Sequence, residues 1–370
     1  MTSTLDESVG SVTTRRCSHP VSKTPAQAAS LGTWRDRRRR TWLTTSGRAL
    51  SLRVDEPMGR TAVGALVVLP SFDREATVSF RTTRALAAHA AAAGFVAYTF
   101  DLSGDGDSQD LRRGDDPARC WVADAEAVID LARTAVGSDL PVHVVGLRLG
   151  AAILAATPRT GPGHRIYWEP VSGRMFLRTH QLIRSQSVGV KVVPEGIELD
   201  GTHLSEEQRA GIATLRAPRP GAATRTVDEH HDSFRIDDDR EAGLRIALGA
   251  PYFAAVPLDA IADIVANLPQ GSARTLAAWE ETDAVTMESP DGVPVVETLC
   301  AVGPRHLPAV RTHSPSATPR IGAVFTAMGA EVRSGPGGLW ARAARDLAGR
   351  GVVSLRADRA GLGDDAAPDR

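Results

Sequence analysis

The chain has 370 residues, of which 42% are hydrophobic, and a formal net charge of −1. That length and apolar fraction allow about two domains with real cores. The balanced charge leaves no bulk electrostatic case for nucleic acid or a membrane surface, and no apolar run approaches the roughly 18 residues of a membrane span. Basic residues are almost all arginine, with lysine only at Lys23 and Lys191, a codon signature of a GC-rich bacterium. Cys17, Cys120 and Cys300 are scattered. They suggest neither a disulfide framework nor a zinc site and fit a reducing cytoplasm.

Residues 1–41 are rich in Ser, Thr, Ala and Arg, lack apolar periodicity, and run through Arg35-Asp36-Arg37-Arg38-Arg39-Arg40. That composition predicts a disordered Arg-rich leader, with a basic arm for anionic partners as the alternative. From residue 42 the pattern changes. Leu50-Ser51-Leu52 reads as a strand, and Gly64-Ala65-Leu66-Val67-Val68-Leu69-Pro70 as a buried one, a short apolar run bounded by Gly and Pro. Residues 81–93 form an alanine-rich helical stretch stopped by Gly94. Phe95-Val96-Ala97-Tyr98-Thr99-Phe100 is the next strand. It ends in the turn-rich Asp101-Leu102-Ser103-Gly104-Asp105-Gly106-Asp107-Ser108. An amphipathic helix over 122–134 leads to the strand Val142-His143-Val144-Val145. Strands alternating with helices predict a doubly wound, mostly parallel α/β sheet over about residues 42–272.

Gly146-Leu147-Arg148-Leu149-Gly150 then joins that strand to a small-residue helix beginning at Ala151. Strand, glycine-flanked turn and helix is the setting in which G-x-S-x-G presents a serine. Here Arg148 stands at the apex. An arginine serves neither as nucleophile nor as base, because its guanidinium does not deprotonate in proteins.

The run Phe100-Asp101-x-x-Gly104-x-Gly106-Asp107-Ser108, followed some forty residues later by the turn, resembles the α/β-hydrolase fold of serine esterases and aminopeptidases. The Gly-Leu-Arg-Leu-Gly-Ala turn, with Trp168-Glu169-Pro170-Val171-Ser172-Gly173-Arg174 after it, resembles more narrowly the exosortase-associated hydrolase-like proteins of bacterial surface-polysaccharide loci. The first resemblance places the nucleophile position at Arg148 and the acid position at Asp228, ending a strand at Thr224-Arg225-Thr226-Val227. A last strand is expected at Leu244-Arg245-Ile246-Ala247-Leu248-Gly249, and the loop after it holds no histidine. The lid insertion would occupy about 171–215, with Arg174, Arg178 and Arg184 along one amphipathic helix and a Ser205-x-x-Gln208 capping box opening another. The backbone N–H groups of Leu149 and of Ser71 or Phe72 would form the oxyanion hole.

Two readings of Arg148 stay open. At a helix N-terminus it makes the hole a clamp for a carboxylate or phosphate. Alternatively it is a structural partner of a buried acid such as Asp101 or Glu169. No cofactor or metal is expected. Asp228-Glu229-His230-His231-Asp232 has no distant partner at ligand spacing and reads as a solvated loop. Asp105 to Asp110 lacks the glycine and closing glutamate of a calcium loop, and Gly104-x-Gly106 does not extend to a dinucleotide fingerprint.

The C-terminal region repeats the first. Gly322-Ala323-Val324-Phe325-Thr326 echoes the strand at Gly64, residues 339–348 echo the helix, and Gly351-Val352 onward echoes Gly94-Phe95. Asp358-x-x-Gly361-x-Gly363-Asp364 has the spacing of Asp101-x-x-Gly104-x-Gly106-Asp107. The opening turns also match, 43–52 against 287–298. Residues 281–370 therefore predict an incomplete second copy with an uncovered strand at 322–326, an edge that invites a protein partner. The functional expectation is a catalytically degenerate hydrolase-fold protein binding a small anionic acyl or saccharide ligand. The alternative is an ester or acyl hydrolase whose site lies in the second copy or uses a non-standard constellation.

Overall fold

The computed structural model describes residues 38–159, 161–187, 195–199, 201–218, 230–235, 256–289, 291–326 and 331–365. Two sheets organise them. The first is built from β1 (Arg38–Thr45), β2 (Arg48–Asp55), β3 (Gly64–Leu69), α1 (Arg74–Ala92), β4 (Phe95–Phe100), α2 (Pro117–Val136), β5 (Val142–Leu147), α3 (Leu149–Ala156), β6 (Gly163–Trp168), α4 (Gly173–Ser187), α5 (Glu206–Ile212), β7 (His230–Arg235) and α6 (Leu258–Ala266). Its seven strands lie in the order β1-β2-β4-β3-β5-β6-β7. The β1–β2 and β2–β4 pairs are antiparallel, and every pair from β4 to β7 is parallel. Side chains alternate across a strand, so β3 sends Leu66 and Val68 into the core under α1 and α6. Val67 and Leu69 go into the opposite core with Trp121 of α2 and Ile153 of α3. Both faces are covered, which is why the parallel strands read as unbroken apolar runs.

Three sequence expectations change here. Arg38 to Thr41 are not leader but the first half of β1. Arg38 meets Asp55 at 2.6 Å, Arg39 reaches Glu56 at 3.3 Å, and Arg40 donates to the Cys300 carbonyl at 3.1 Å. These three charges, which suggested disorder, each have a place in the fold. His230, His231 and Asp232 are not loop but strand β7, in register with Gly163, His164 and Arg165. Helix α1 begins at Arg74, well before the alanine-rich core at 81. Asp228 and the expected strands at 224–228 and 244–249 lie outside the described residues. Residues 171–215 contain α4 and α5, and Ser205 and Gln208 form the reciprocal capping box. No described helix is long and apolar enough to cross a membrane.

The second sheet comprises β8 (Ala284–Glu288), β9 (Pro294–Val302), β10 (Leu307–His313), β11 (Ile321–Thr326), α7 (Leu339–Ala348) and β12 (Val352–Ala357). Its order is β8-β9-β10-β12-β11. Leaving β8 aside, this is the β1-β2-β4-β3 corner of the first sheet: an antiparallel hairpin, an antiparallel junction, then a parallel pair. The register moves the sequence match. The hairpin that stands where β1–β2 stands is β9–β10, so the opening match to residues 287–298, which covers β8–β9, is displaced by one strand. Likewise Ile321, not Gly322, occupies the place of Gly64, because Ile321 pairs with Val352 as Gly64 pairs with Phe95.

The aspartate-glycine loops agree in detail. Asp107 N–H donates to Asp101 Oδ2 at 3.0 Å, and Asp364 N–H donates to Asp358 Oδ2 at 3.0 Å. Gly106 and Gly363 have φ of 56° and 53°, and a Cβ on either would sit 2.3 or 2.2 Å from that same aspartate's carboxylate. Only glycine combines left-handed backbone with so close an approach. In the first sheet β5 pairs with the far side of β3. In the second, β11 is the described edge, with Ile321 64% and Val324 67% exposed.

The two sheets share a core in which Trp42 and Ala49 pack with Val285, Met287, Val295, Val310 and Ala348. The facing loops are stitched by arginines running both ways. Arg53 binds Asp101 and Asp364, each at 2.8 Å, while Arg333 binds Asp358 and Asp364 at 2.6 Å and Asp107 at 2.8 Å.

Buried His143 on β5 yields a pH prediction. Its Nδ1 accepts the His164 N–H at 2.9 Å, so its Nε2 carries the proton and donates to the Pro269 carbonyl at 2.9 Å. Burial, chiefly, lowers its pKa from 6.5 to about 4. A depressed histidine contributes stability that is complete above 6.5 and is lost as pH falls toward 4, on the order of 3 kcal/mol. Asp124, pushed up to about 6 mainly by burial, acts oppositely and gains stability as pH falls through that window. The His143 contribution is therefore isolated by difference. Urea titrations from pH 7 to 4 should show a stability loss in the wild type that shrinks in His143→Gln; parallel curves would refute it.

Candidate functional site

In a doubly wound sheet, ligands bind outside the carboxyl ends of the strands where the winding reverses. Here that point lies between β3 and β5. Strand β5 ends at Leu147, and Arg148 adopts φ 54° and ψ −113° before α3 begins at Leu149. A non-glycine residue in that region is strained and persists only where its surroundings hold it. The holding groups are visible: Arg148 N–H donates to the Trp168 carbonyl at 2.9 Å, and its own carbonyl accepts from Ala151 N–H at 3.0 Å. A Cβ on Gly146 would lie 2.6 Å from the Gly150 carbonyl oxygen. One on Gly150 would lie 2.4 Å from that of Pro70. Both elbow glycines are thus sterically required, and the second presses α3 against the loop that follows β3.

The side chain of Arg148 is buried and donates through Nη2 to Glu75 Oε1 at 2.9 Å. Glu75 sits in the first turn of α1 and is fully buried. Its Oε2 accepts from Ser71 Oγ at 2.6 Å, and His180 Nε2 of α4 stands 3.6 Å from Oε1. The His180 ring packs on Phe176, centroids 4.3 Å apart. Burial alone would raise the Glu75 carboxyl; Arg148, and then His180, outweigh it and hold it at about 2. The apex is occupied by an enclosed pair whose carboxylate stays ionised down to about pH 2.

Of the residues expected at the site, Arg148, Leu149, Gly146, Gly150, Ser71 and Phe72 converge at this point. Leu149 opens α3, and Phe72 is buried with its ring 4.7 Å from that of Trp121. Asp101 does not join them: its carboxylate takes Arg53, and the acid that meets Arg148 is Glu75. Glu169 follows β6 with a φ of 47°. Glu75 and His180 were missed. Glu75 lies in a polar stretch ahead of the obvious helix, and His180 was hidden on the apolar face of α4, one turn after Phe176.

Asp73 repeats the strained geometry at the start of α1, with φ 56° and ψ −129°. Its N–H donates to Asp105 Oδ2 at 3.1 Å. Burial first, then the neighbouring Asp73 and Asp101, holds the Asp105 carboxyl well above the usual range.

The strand order, the two-sided helix cover and the strained turn after β5 define the architecture. It is an α/β-hydrolase-like fold.

No protein-family model and no curated protein matches the chain. Among solved structures it is similar to one from Agrobacterium vitis S4 provisionally assigned as a hydrolase, at 15% identity and a TM-score of 0.34, covering 56% of this chain and 91% of that one. It is also similar to Est1E from Butyrivibrio proteoclasticus, solved with ferulic acid bound, at 16% identity and 0.32, covering 47% and 71%. A serine hydrolase from Cycloclasticus zankles follows at 15% and 0.29, covering 36% of this chain and 46% of its own length, less than half of that protein. The fold stands on the strand order and register, not on these scores.

Proposed function

We propose that this chain is a hydrolase-fold protein without hydrolytic activity, in which the nucleophile position has become a structural ion pair. The single observation that carries this is Arg148 at the strained apex, bonded to buried Glu75. A serine hydrolase needs a nucleophile, a base that takes its proton and an acid that orients the base. Ser71 and His180 both reach Glu75, but in the wrong order for a triad, with the carboxylate rather than the imidazole against the hydroxyl. A carboxylate held at about 2 is a poor general base near neutrality.

The remaining role is binding, of a small anionic acyl or saccharide ligand. Arg148 does not hold such a ligand alone, since Nη2 is committed to Glu75. The tandem relation of the two sheets, supported by their matching loops, is part of the same proposal, as is a partner strand along exposed β11.

The purified chain is expected to leave activated esters unhydrolysed above background and to resist fluorophosphonate labelling. Stoichiometric labelling of any serine in residues 42–270 would overturn the reading.

A further inference from the structure

Strand β11 ends the second sheet, and no described strand pairs with its outer side. Its equivalent in the first unit is β3, matched through the pairs Ile321–Val352 and Gly64–Phe95. By that register Val324 stands where Val67 stands. Val67 is fully buried between β4 and β5, whereas Val324 is 67% exposed. An open edge is a row of unpaired backbone donors and acceptors, and natural sheets blunt such edges with charge, proline or bulges. Ile321-Gly322-Ala323-Val324-Phe325-Thr326 holds no charged residue and no proline. Its pairing with β12 runs without a bulge from Ile321 to Thr326.

The other terminal strands differ. β1 carries Arg38, Arg39 and Arg40, β7 contains Asp232 and Arg235, and β8 ends at Glu288. Charge decides which of these edges can meet a copy of itself. A two-fold axis sets a strand antiparallel to its own copy, and like charges brought together across such a pair repel. Among the described terminal strands, β11 alone brings no charge to that contact. Opposed residues share a face, so the axis falls on Ala323 or on Val324. On Ala323, Ile321 meets Phe325 and Val324 meets Gly322; on Val324, the two valines meet and Ala323 meets Phe325. Either register covers Val324 with an uncharged partner. Apolar exposure continues at Leu339, which opens α7 beside Trp340, whose ring lies 5.5 Å from that of Phe325.

We propose that β11 is the contact of a symmetric dimer of this chain, in which two second sheets join edge to edge into one continuous sheet. The contact uses both open edges at once, so association closes at two copies. The proposal rests on the reading of β11 as an edge that takes a partner strand, and it names a second copy of this chain as that partner.

Sedimentation of the full chain over about 1–100 µM, the range of a modest interface, should show a monomer–dimer equilibrium and no larger species. Amide exchange over residues 321–326 should slow as the concentration rises. Val324→Lys should weaken the dimer at least about ten-fold, because each dimer loses two covered valines and gains two like charges. Val324→Glu should do the same, and an equimolar mixture of the two variants should associate again, which also shows that both are folded. Met58→Lys, at an exposed position on the first unit, should leave the dimer unchanged. A wild type that stays monomeric while residues 321–326 exchange freely would overturn the second copy as partner and leave the edge to another strand. Slow exchange over 321–326 in a monomer would overturn the open edge itself. A dimer indifferent to Val324→Lys, or a variant mixture that stays monomeric, would overturn β11 as the contact.

Discussion

Glu75→Gln is expected to destabilise the protein by about 3–5 kcal/mol, the cost of leaving one member of a buried ion pair without its counter-charge. The substitution keeps the shape of the side chain but leaves Arg148, buried at a strained turn, facing a neutral amide. Arg148→Ser should cost a similar amount. It places a hydroxyl at the apex but strands Glu75, and it is expected to create no esterase, since the His180 imidazole lies against that carboxylate. The double variant Glu75→Leu with Arg148→Met should recover most of the loss, since apolar replacement of a whole buried pair is often near neutral. The sign of the pH dependence follows. Glu75 is depressed from 4.5 to about 2, so its stabilisation is complete above 4.5 and disappears as pH falls through 2. Denaturation at pH 7 and pH 2 should show the wild type approaching Glu75→Gln at the acid end. Single variants as stable as the wild type at pH 7 would rule out a structural pair and return Arg148 to anion binding.

What the sequence disclosed follows the kinds of force involved. Strands β3, β4 and β5 were legible because burial on both faces leaves a continuous apolar run, and the turn at Arg148 because its glycines are excluded from carrying a Cβ. The loops at Asp101 and Asp358 were legible as a repeat because each needs a glycine against its own aspartate. Arg38 to Arg40 were not, since a strand whose charges are matched by Asp55 and Glu56 has the local composition of a disordered arm. The Arg148 partner was not legible either. Glu75 and Arg148 are 73 positions apart, and no local pattern marks which acid a folded chain brings to a buried guanidinium. The hairpin β9–β10 was misplaced because short apolar strands resemble one another until pairing with β12 fixes the register.

Glu297→Ala is expected to loosen the second sheet from the first. Fully buried on β9, Glu297 accepts from Arg345 Nε and Nη2 at 3.1 Å each, from Arg356 Nη2 at 2.9 Å and from Thr312 Oγ1 at 3.1 Å. Both arginines continue across the junction. Arg345 donates to the Asp107 and Ser108 carbonyls at 2.6 and 2.9 Å and to Asp110 at 3.0 Å, and Arg356 lies 3.4 Å from Asp107. Glu297 therefore aims two cations at the loop of the neighbouring unit, and its removal leaves them buried with too little negative charge. The loss should reach about 3–5 kcal/mol. The exposed pair Arg112–Glu288, half accessible on both sides, is the control, and Arg112→Ala should cost at most about 1 kcal/mol. Because β11 already presents Ile321 and Val324 on an edge, the weakened second unit should be cut first, within residues 281–365, while the first sheet stays intact. Limited proteolysis with mass mapping reads this directly. An unchanged fragment pattern and thermal midpoint in Glu297→Ala would show that the apolar contacts of Trp42 and Ala49, not the charge network, hold the two sheets together.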